Sequence, residues 1–184
     1  MKQDWQLPGN TKDTQSVTKN WIVTTKQQIM GVQVREVQNV IKSNGVLTEL
    51  YRKDWLLDDL PVEQVFQVRL NPGAISAWHA HGLTTDRLFA SSGTLLIVLY
   101  DARQDSPTYR LVNEFRCGLA RPTLITVPPG VWHGVCNIGS EIATLINMVD
   151  KAYKYEDPDH WRIPSDSTEV PYSFSKILCK DALG

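Results

Sequence analysis

The chain contains a series of short apolar or alternating runs, and turn signals separate each run from the next. The runs lie at 32–37, 46–50, 65–70, 94–100, 109–115, 124–127 and 143–149. The turn signals are Ser-Asn-Gly at 43–45, Asn-Pro-Gly at 71–73, Ser-Ser-Gly at 91–93 and Pro-Pro-Gly at 128–130. Many short strands with Gly- and Pro-rich turns predict an all-β antiparallel sandwich or barrel. Only the tail after Tyr155 leaves room for a short helical or irregular C-terminal segment.

The length of 184 residues is that of one domain, and no internal repeat or Gly/Ser linker divides the chain. Polar residues dominate 1–28, which we interpret as an N-terminal arm, whereas 29–184 forms the domain. The stretch 157–184 is rich in Pro, Asp and Ser. We expect it to wrap over the barrel as irregular chain and to close the site.

Charge and hydropathy exclude several classes of partner. A net charge of -1 and a pI near 6.4 argue against nucleic acid. No stretch reaches the roughly 18 apolar residues that a membrane helix needs, and no apolar signal core follows the N-terminal charges, so we expect a cytoplasmic protein. The cysteines at 117, 136 and 179 are widely spaced, and we expect buried free thiols.

Three of the four histidines occupy two places with informative neighbours. His79 and His81 project to the same face of a strand because residues two apart do so. A turn after His81 returns Asp86 on the neighbouring strand, and the Pro-Pro-Gly turn delivers His133 from a third strand. Such a set suits a divalent first-row metal or, without metal, an acid/base site. We expect the fourth histidine, His160, at the surface and outside the site.

The spacing of these residues resembles the two sequence motifs of the cupin superfamily. From Gly73, five residues lead to the His-x-His pair, four more to Asp86 and six more to Gly93; His133 follows Pro-Pro-Gly-Val-Trp, with Asn three residues on. The resemblance implies a double-stranded β-helix, or jelly-roll, barrel. Asp86 stands where metal cupins usually have Glu. By this resemblance His79, His81, Asp86 and His133 would bind Fe, Mn, Ni or Zn.

A longer set of segments is similar to the dTDP-4-dehydrorhamnose 3,5-epimerase family, which acts on a nucleotide-linked 4-keto sugar inside a cupin barrel. These segments lie at 31–40, 44–55, 101–109, 127–134 and 176–184. In the third of them, we expect Asp101 and Arg103 to brace the turn rather than to contact ligand. The resemblance implies a homodimer and a reaction without a redox cofactor.

The family resemblance also assigns roles by position. His79 matches the base that removes a proton α to the ketone, and Asp181 matches the carboxylate that orients it. Arg87 matches the cation that stabilises the enolate oxygen, and His133 matches the second active-site histidine. A 4-keto group acidifies its neighbouring protons, so one base and one cation suffice.

Several positions depart from the family pattern. Ser76 and Asn44 stand where the family has phosphate-binding arginines, whereas Glu49 matches an acidic residue of the family. Asn147 aligns with the tyrosine that acts as the acid, and we expect Glu49, Asn147 and His81 to contact substrate. Tyr153 or Tyr155 would replace that tyrosine only if the following loop folds inward. The His-x-His pair itself resembles the related sugar 3,4-ketoisomerases.

Three hypotheses follow. The first is an epimerase or ketoisomerase acting on a dTDP-4-keto-6-deoxy sugar by proton abstraction. The second is a mononuclear metal cupin, serving as an oxygenase, an isomerase or a small-molecule binder. The third is a non-catalytic binding cupin.

Overall fold

The computed structural model describes residues 5–20 and 27–180 and contains two five-stranded antiparallel sheets. The strands are β1 (Gln33–Glu36), β2 (Asn39–Lys42), β3 (Gly45–Thr48), β4 (Gln64–Leu70), β5 (Ile75–Ala80), β6 (Asp86–Ser92), β7 (Thr94–Asp101), β8 (Val112–Gly118), β9 (Thr123–Val127), β10 (Val131–Asn137), β11 (Ala143–Val149) and β12 (Trp161–Arg162). A 3-10 turn spans Lys53–Trp55, and helix α1 spans Ser175–Lys180. Among the described residues, no helical segment has the length and apolar character that crossing a membrane requires.

The strand order confirms the predicted jelly-roll fold. One sheet runs β1-β9-β6-β11-β4 and the other runs β12-β5-β10-β7-β8. From β4 to β12, strands that follow each other in sequence lie in opposite sheets, except β7 and β8, which pair within one sheet. Strands β2 and β3 form a separate hairpin. The two inner faces enclose the main apolar core, which buries residues of both sheets.

Strand β7 explains the uninterrupted apolar run at 94–100. Its odd-numbered residues from 95 to 99 belong to the core between the sheets. Its even-numbered residues from 96 to 100 pack outside that sheet, against Val170 and Phe174 of the C-terminal segment. Because both faces of the strand are covered, alternation with polar residues is absent from it. The C-terminal segment therefore wraps over the barrel as predicted.

The segment between β7 and β8 is a turn built on one buried carboxylate. Asp101 is fully buried and accepts hydrogen bonds from the guanidinium of Arg103 and the hydroxyls of Ser106 and Thr108. Burial alone raises the pKa of Asp101, but these hydrogen bonds outweigh it and hold the pKa well below its ordinary value. The predicted bracing role of Asp101 and Arg103 is confirmed. Because of this turn, strand β8 begins at Val112, whereas the run identified in the sequence begins at residue 109.

Candidate active site

A cavity of about 730 Å³ opens between the two sheets, and its wall contains His79, His81 and His133 together with Asp86. The structure therefore brings the two histidine motifs together, as predicted. The ring centroids of His79 and His133 lie 5.9 Å apart, and those of His81 and His133 lie 5.6 Å apart. His133 is paired with His79 in the register of β10 and β5. Sheet pairing thus sets the spacing of these rings.

Asp86 reaches the cavity from the sheet opposite the histidines. The prediction that it lies on a strand next to the strand of His79 and His81 was therefore wrong. Strand β6 lies in the sheet that faces β5 and β10. The Oδ2 atom of Asp86 lies 3.3 Å from Nε2 of His81 and 3.7 Å from Nε2 of His133. The carboxylate is 1% exposed, so water screens these contacts poorly.

Asn147 holds Asp86 in place. Its Nδ2 donates to Oδ1 of Asp86 over 2.7 Å, and its Oδ1 accepts the backbone N–H of Arg87 over 3.2 Å. Both polar atoms of the Asn147 amide therefore form hydrogen bonds within the protein. Asn147 lies in the cavity wall, where these hydrogen bonds position Asp86, and its contact with substrate stays a prediction.

His79 has a polar partner at each ring nitrogen. Nε2 lies 3.0 Å from Oγ of Ser76, and Nδ1 lies 3.0 Å from Nε2 of His160. Burial, followed by the electrostatic effect of the neighbouring His133 and His160, lowers the pKa of His79 to about 3. At neutral pH this imidazole is uncharged, so it has a lone pair that can accept a proton.

His160 belongs to the site, and the prediction of a surface position was wrong. Strand β12 pairs with β5 beside it, with Trp161 opposite Ala80. The carboxylate of Asp159 accepts the backbone N–H groups of residues 82–84, which anchors the tail over the cavity. The only local signal was an extended His-Trp-Arg triplet between two prolines, which does not reveal its pairing partner.

Arg87 lies on the opposite side of its strand from the cavity, so the predicted enolate contact was wrong. Asp86 and Leu88 line the cavity, and strand alternation turns the residue between them outward. The fully buried guanidinium pairs with Asp58 and donates to the carbonyls of Leu60 and Pro61. Burial lowers the pKa of Arg87, and Asp58 more than reverses this, so the net shift is upward.

The remaining predicted residues have three different placements. Glu49 lies outside the cavity wall, on the segment after β3, where it pairs with Arg52. Its side chain is 51% exposed, and its contact with substrate stays a prediction. Asp181 lies outside the described residues. Tyr153 and Tyr155, on the loop after β11, both border the cavity, and they are 48% and 82% exposed.

Comparison with known proteins gives one consistent group. A model of the dTDP-4-dehydrorhamnose 3,5-epimerase family matches residues 26–182. The chain is 36% identical over 139 residues to the probable low-salt glycan biosynthesis epimerase Agl13 of Haloferax volcanii, covering 75% of this chain and 89% of that protein. It is 32% identical over 148 residues to the spore coat polysaccharide biosynthesis protein SpsL of Bacillus subtilis, covering 80% and 97%. A solved dTDP sugar isomerase from Desulfovibrio desulfuricans is similar with a TM-score of 0.75 and 25% identity, covering 80% and 92%.

Proposed function

Because the chain belongs to the dTDP-4-dehydrorhamnose 3,5-epimerase family, we propose that it epimerises a dTDP-linked 4-keto-6-deoxy sugar inside this cavity. The observation that carries the proposal is the neutral imidazole of His79, held at both nitrogens in a cavity shared by both sheets. Proton abstraction next to a ketone requires a positioned base, and His79 has that character.

The proposed reaction moves one proton at a time. Nδ1–H of His79 donates to His160, which leaves the lone pair of Nε2 for the substrate in place of Ser76. As Nε2 takes the proton from the carbon beside the ketone, the C–H electrons move to the carbonyl oxygen and form an enolate. Reprotonation of that carbon from its other face inverts the centre, and no electron is gained or lost overall.

Tyr153 is the proposed donor of the second proton. It lines the cavity, whereas Asn147, which aligns with the family's tyrosine, uses its amide to hold Asp86. An amide cannot donate and regain a proton as a phenol does. Tyr153 therefore offers the chemistry that position 147 lacks.

The phosphates of the nucleotide have cationic partners in the same wall. Lys151, Lys154 and Arg162 line the cavity, and they stand in for the family arginines replaced at Ser76 and Asn44. Lysine and arginine bind phosphate through charge-assisted hydrogen bonds. The cavity volume of about 730 Å³ also lies in the range of roughly 300–1,000 Å³ usual for small-molecule sites.

Solvent deuterium exchange tests the function directly. The full-length chain is incubated in D₂O with dTDP-4-keto-6-deoxyglucose, and proton NMR follows deuterium at C3 and C5 and the appearance of the inverted sugar. We expect exchange and inversion with the wild type and neither with His79→Asn. dTDP-glucose, which has no ketone, is the control. Unchanged substrate would overturn the proposal, and a keto group found at C3 would replace it with ketoisomerisation.

The exposed apolar surface supports a homodimer. The hairpin of β2 and β3 exposes Val40, Ile41 and Val46, and edge strand β4 exposes Val65. An unpaired edge and an apolar hairpin are suited to pairing with a second copy of the chain. Light scattering should give twice the chain mass for the wild type and the monomer mass for Ile41→Lys. A monomeric wild type at micromolar concentration contradicts this proposal.

Two further observations support the domain organisation and the compartment that we propose. Ile29 is 1% exposed and its N–H donates to Asn113, which supports a packed domain at 29–184 that follows an arm at 1–28. Cys117 and Cys136 are buried free thiols, as predicted, whereas the side chain of Cys179 lies outside the described part. Free thiols fit a reducing compartment, and we place the protein in the cytoplasm.

A further inference from the structure

We propose that a separate cavity, on the outer face of the sheet that carries the histidines, binds an organic cation with a quaternary ammonium group. The cavity has a volume of about 290 Å³, just below the roughly 300–1,000 Å³ usual for drug-sized ligands, so it suits a small ligand. Its wall contains Tyr100, Tyr109, Trp132 and Glu169. Aromatic faces bind quaternary ammonium groups, and a carboxylate adds the opposite charge.

Sheet pairing places two of the rings side by side. Trp132 on β10 lies directly opposite Tyr100 on β7. Side chains of directly opposite residues share a face of the sheet, with Cβ atoms roughly 4.5–5.5 Å apart. His133, the next residue of β10, lines the reaction cavity, so strand alternation turns Trp132 to the outer face. The two rings therefore form one side of the outer cavity.

A turn and the C-terminal segment provide the other groups of the wall. Tyr109 belongs to the turn between β7 and β8, where its N–H donates to the carbonyl of Ser106 over 3.0 Å. Glu169 directly precedes Val170, which is 3% exposed and packs in the apolar cluster behind the sheet. Both groups are thus attached to packed parts of the protein, so the wall is formed before a ligand binds.

The three rings have neither an aromatic nor a cationic neighbour among the described residues. No ring contact joins Tyr100, Tyr109 or Trp132 to one another or to a further aromatic side chain in that part of the chain. The cation–π contacts of the same residues involve Trp55 and Tyr51 instead. Because the face of an aromatic ring is electronegative, three rings around one cavity attract a cation.

Two polar groups of the wall are unpaired within residues 5–20 and 27–180. Tyr100 is 6% exposed, and its hydroxyl forms no hydrogen bond there. The carboxylate of Glu169 forms no ion pair there, and the wall contains no Lys or Arg. A cation with a short polar arm satisfies both groups, since its charge faces Glu169 and its arm reaches the buried hydroxyl.

Choline tests the site, because it combines a quaternary ammonium group with a hydroxyl. The full-length chain is titrated with choline and with 3,3-dimethyl-1-butanol, which has the same shape without the charge, while proton NMR follows the ligand methyl signal. We expect saturable binding of choline and an upfield shift of its methyl signal, since the methyl groups lie over aromatic faces. The neutral alcohol should bind at least about 10-fold more weakly.

Variants locate the binding in this cavity. Tyr109→Ala, at a ring that is 47% exposed, and Glu169→Gln should each weaken choline binding by about 5-fold or more. Glu156→Gln removes an exposed carboxylate of the C-terminal segment that lies outside both cavities, and it should bind choline as the wild type does. Circular dichroism establishes that each variant is folded.

Three outcomes overturn the site: no binding of choline to the wild type, equal binding of the neutral alcohol, or an equal effect of all three substitutions. Binding of glucose without binding of choline would also overturn it and assign the rings to a sugar. A peptide with trimethyllysine distinguishes the source of the cation. Tighter binding of the peptide than of choline indicates a methylated protein, and weaker binding indicates a free solute. No nucleotide sugar is present, so the result does not depend on the epimerase proposal.

Discussion

Nε2 of His160 lies 3.0 Å from Nδ1 of His79, and this contact joins the C-terminal segment to the proposed base on β5. The two ring centroids are 5.1 Å apart. The contact orients the ring of His79, and in the proposed reaction Nδ1–H of His79 is its donor. It makes the tail, which is irregular over much of its length, part of the reaction site.

Replacing His160 should therefore lower turnover more than substrate binding. We expect His160→Leu to reduce kcat by about 100-fold with little change in KM, because a misaligned base loses rate and not affinity. His160→Gln, whose amide reaches the same position as Nε2, should recover much of that loss. Steady-state kinetics of both variants measure the changes in kcat and in KM separately. Equal losses in the two variants would contradict the hydrogen-bonding role.

Tyr153→Phe should separate exchange from inversion. Without a donor on the second face, the proton on His79 exchanges with D₂O, and His79 then delivers a deuteron to the face from which the proton was taken. Deuterium therefore enters the sugar but the configuration is retained. NMR of the product in D₂O measures both quantities. Tyr155→Phe is the matched control, since Tyr155 lines the same cavity but is 82% exposed, and it should still invert the sugar. Normal inversion by Tyr153→Phe would exclude it as the acid.

Asp101→Asn should destabilise the fold by about 3 kcal/mol at pH 7, because charge-assisted hydrogen bonds to a buried carboxylate are lost. The folded pKa of Asp101 lies below the unfolded value of about 3.9, so its contribution is complete above that pH and decreases as the pH falls. The difference between the wild type and the variant in the free energy of unfolding should decrease by about 1 kcal/mol between pH 7 and pH 3.

Urea unfolding at each pH measures the stability gap of Asp101→Asn. The exposed Asp105 of the same turn offers a control, because Asp105→Asn should change stability little at either pH. A gap that stays constant or widens in acid would mean that the Asp101 carboxylate is not stabilised by its partners.

The Arg87→Met variant should be less stable than the wild type but should catalyse the reaction at a similar rate. The substitution leaves the Asp58 carboxylate without its buried partner, which costs about 3 kcal/mol or more. Thermal and urea unfolding measure this loss. At a temperature where the variant remains folded, we expect kcat close to that of the wild type. A kcat reduced by more than about 100-fold in the folded variant would mean that Arg87 takes part in the reaction.

The sequence by itself determined the features that depend on local periodicity. Strand alternation predicts that His79 and His81 share a face, and the apolar run at 94–100 predicts a strand, which the structure covers on both sides. The resemblance of the two histidine motifs to those of the cupin superfamily implied the jelly roll, and the turns beside them predicted that His133 meets the other two rings. These inferences need only neighbouring residues and turns.

The tertiary structure decided which element faces which. Asp86 rather than Arg87 enters the cavity because β6 joins the sheet opposite β5, and pairing between sheets is set by contacts far apart in the chain. His160 reaches His79 only because the tail pairs with β5 and Asp159 anchors it there. Local patterns specify the faces of a strand, but the partner of each face follows from packing of the whole chain.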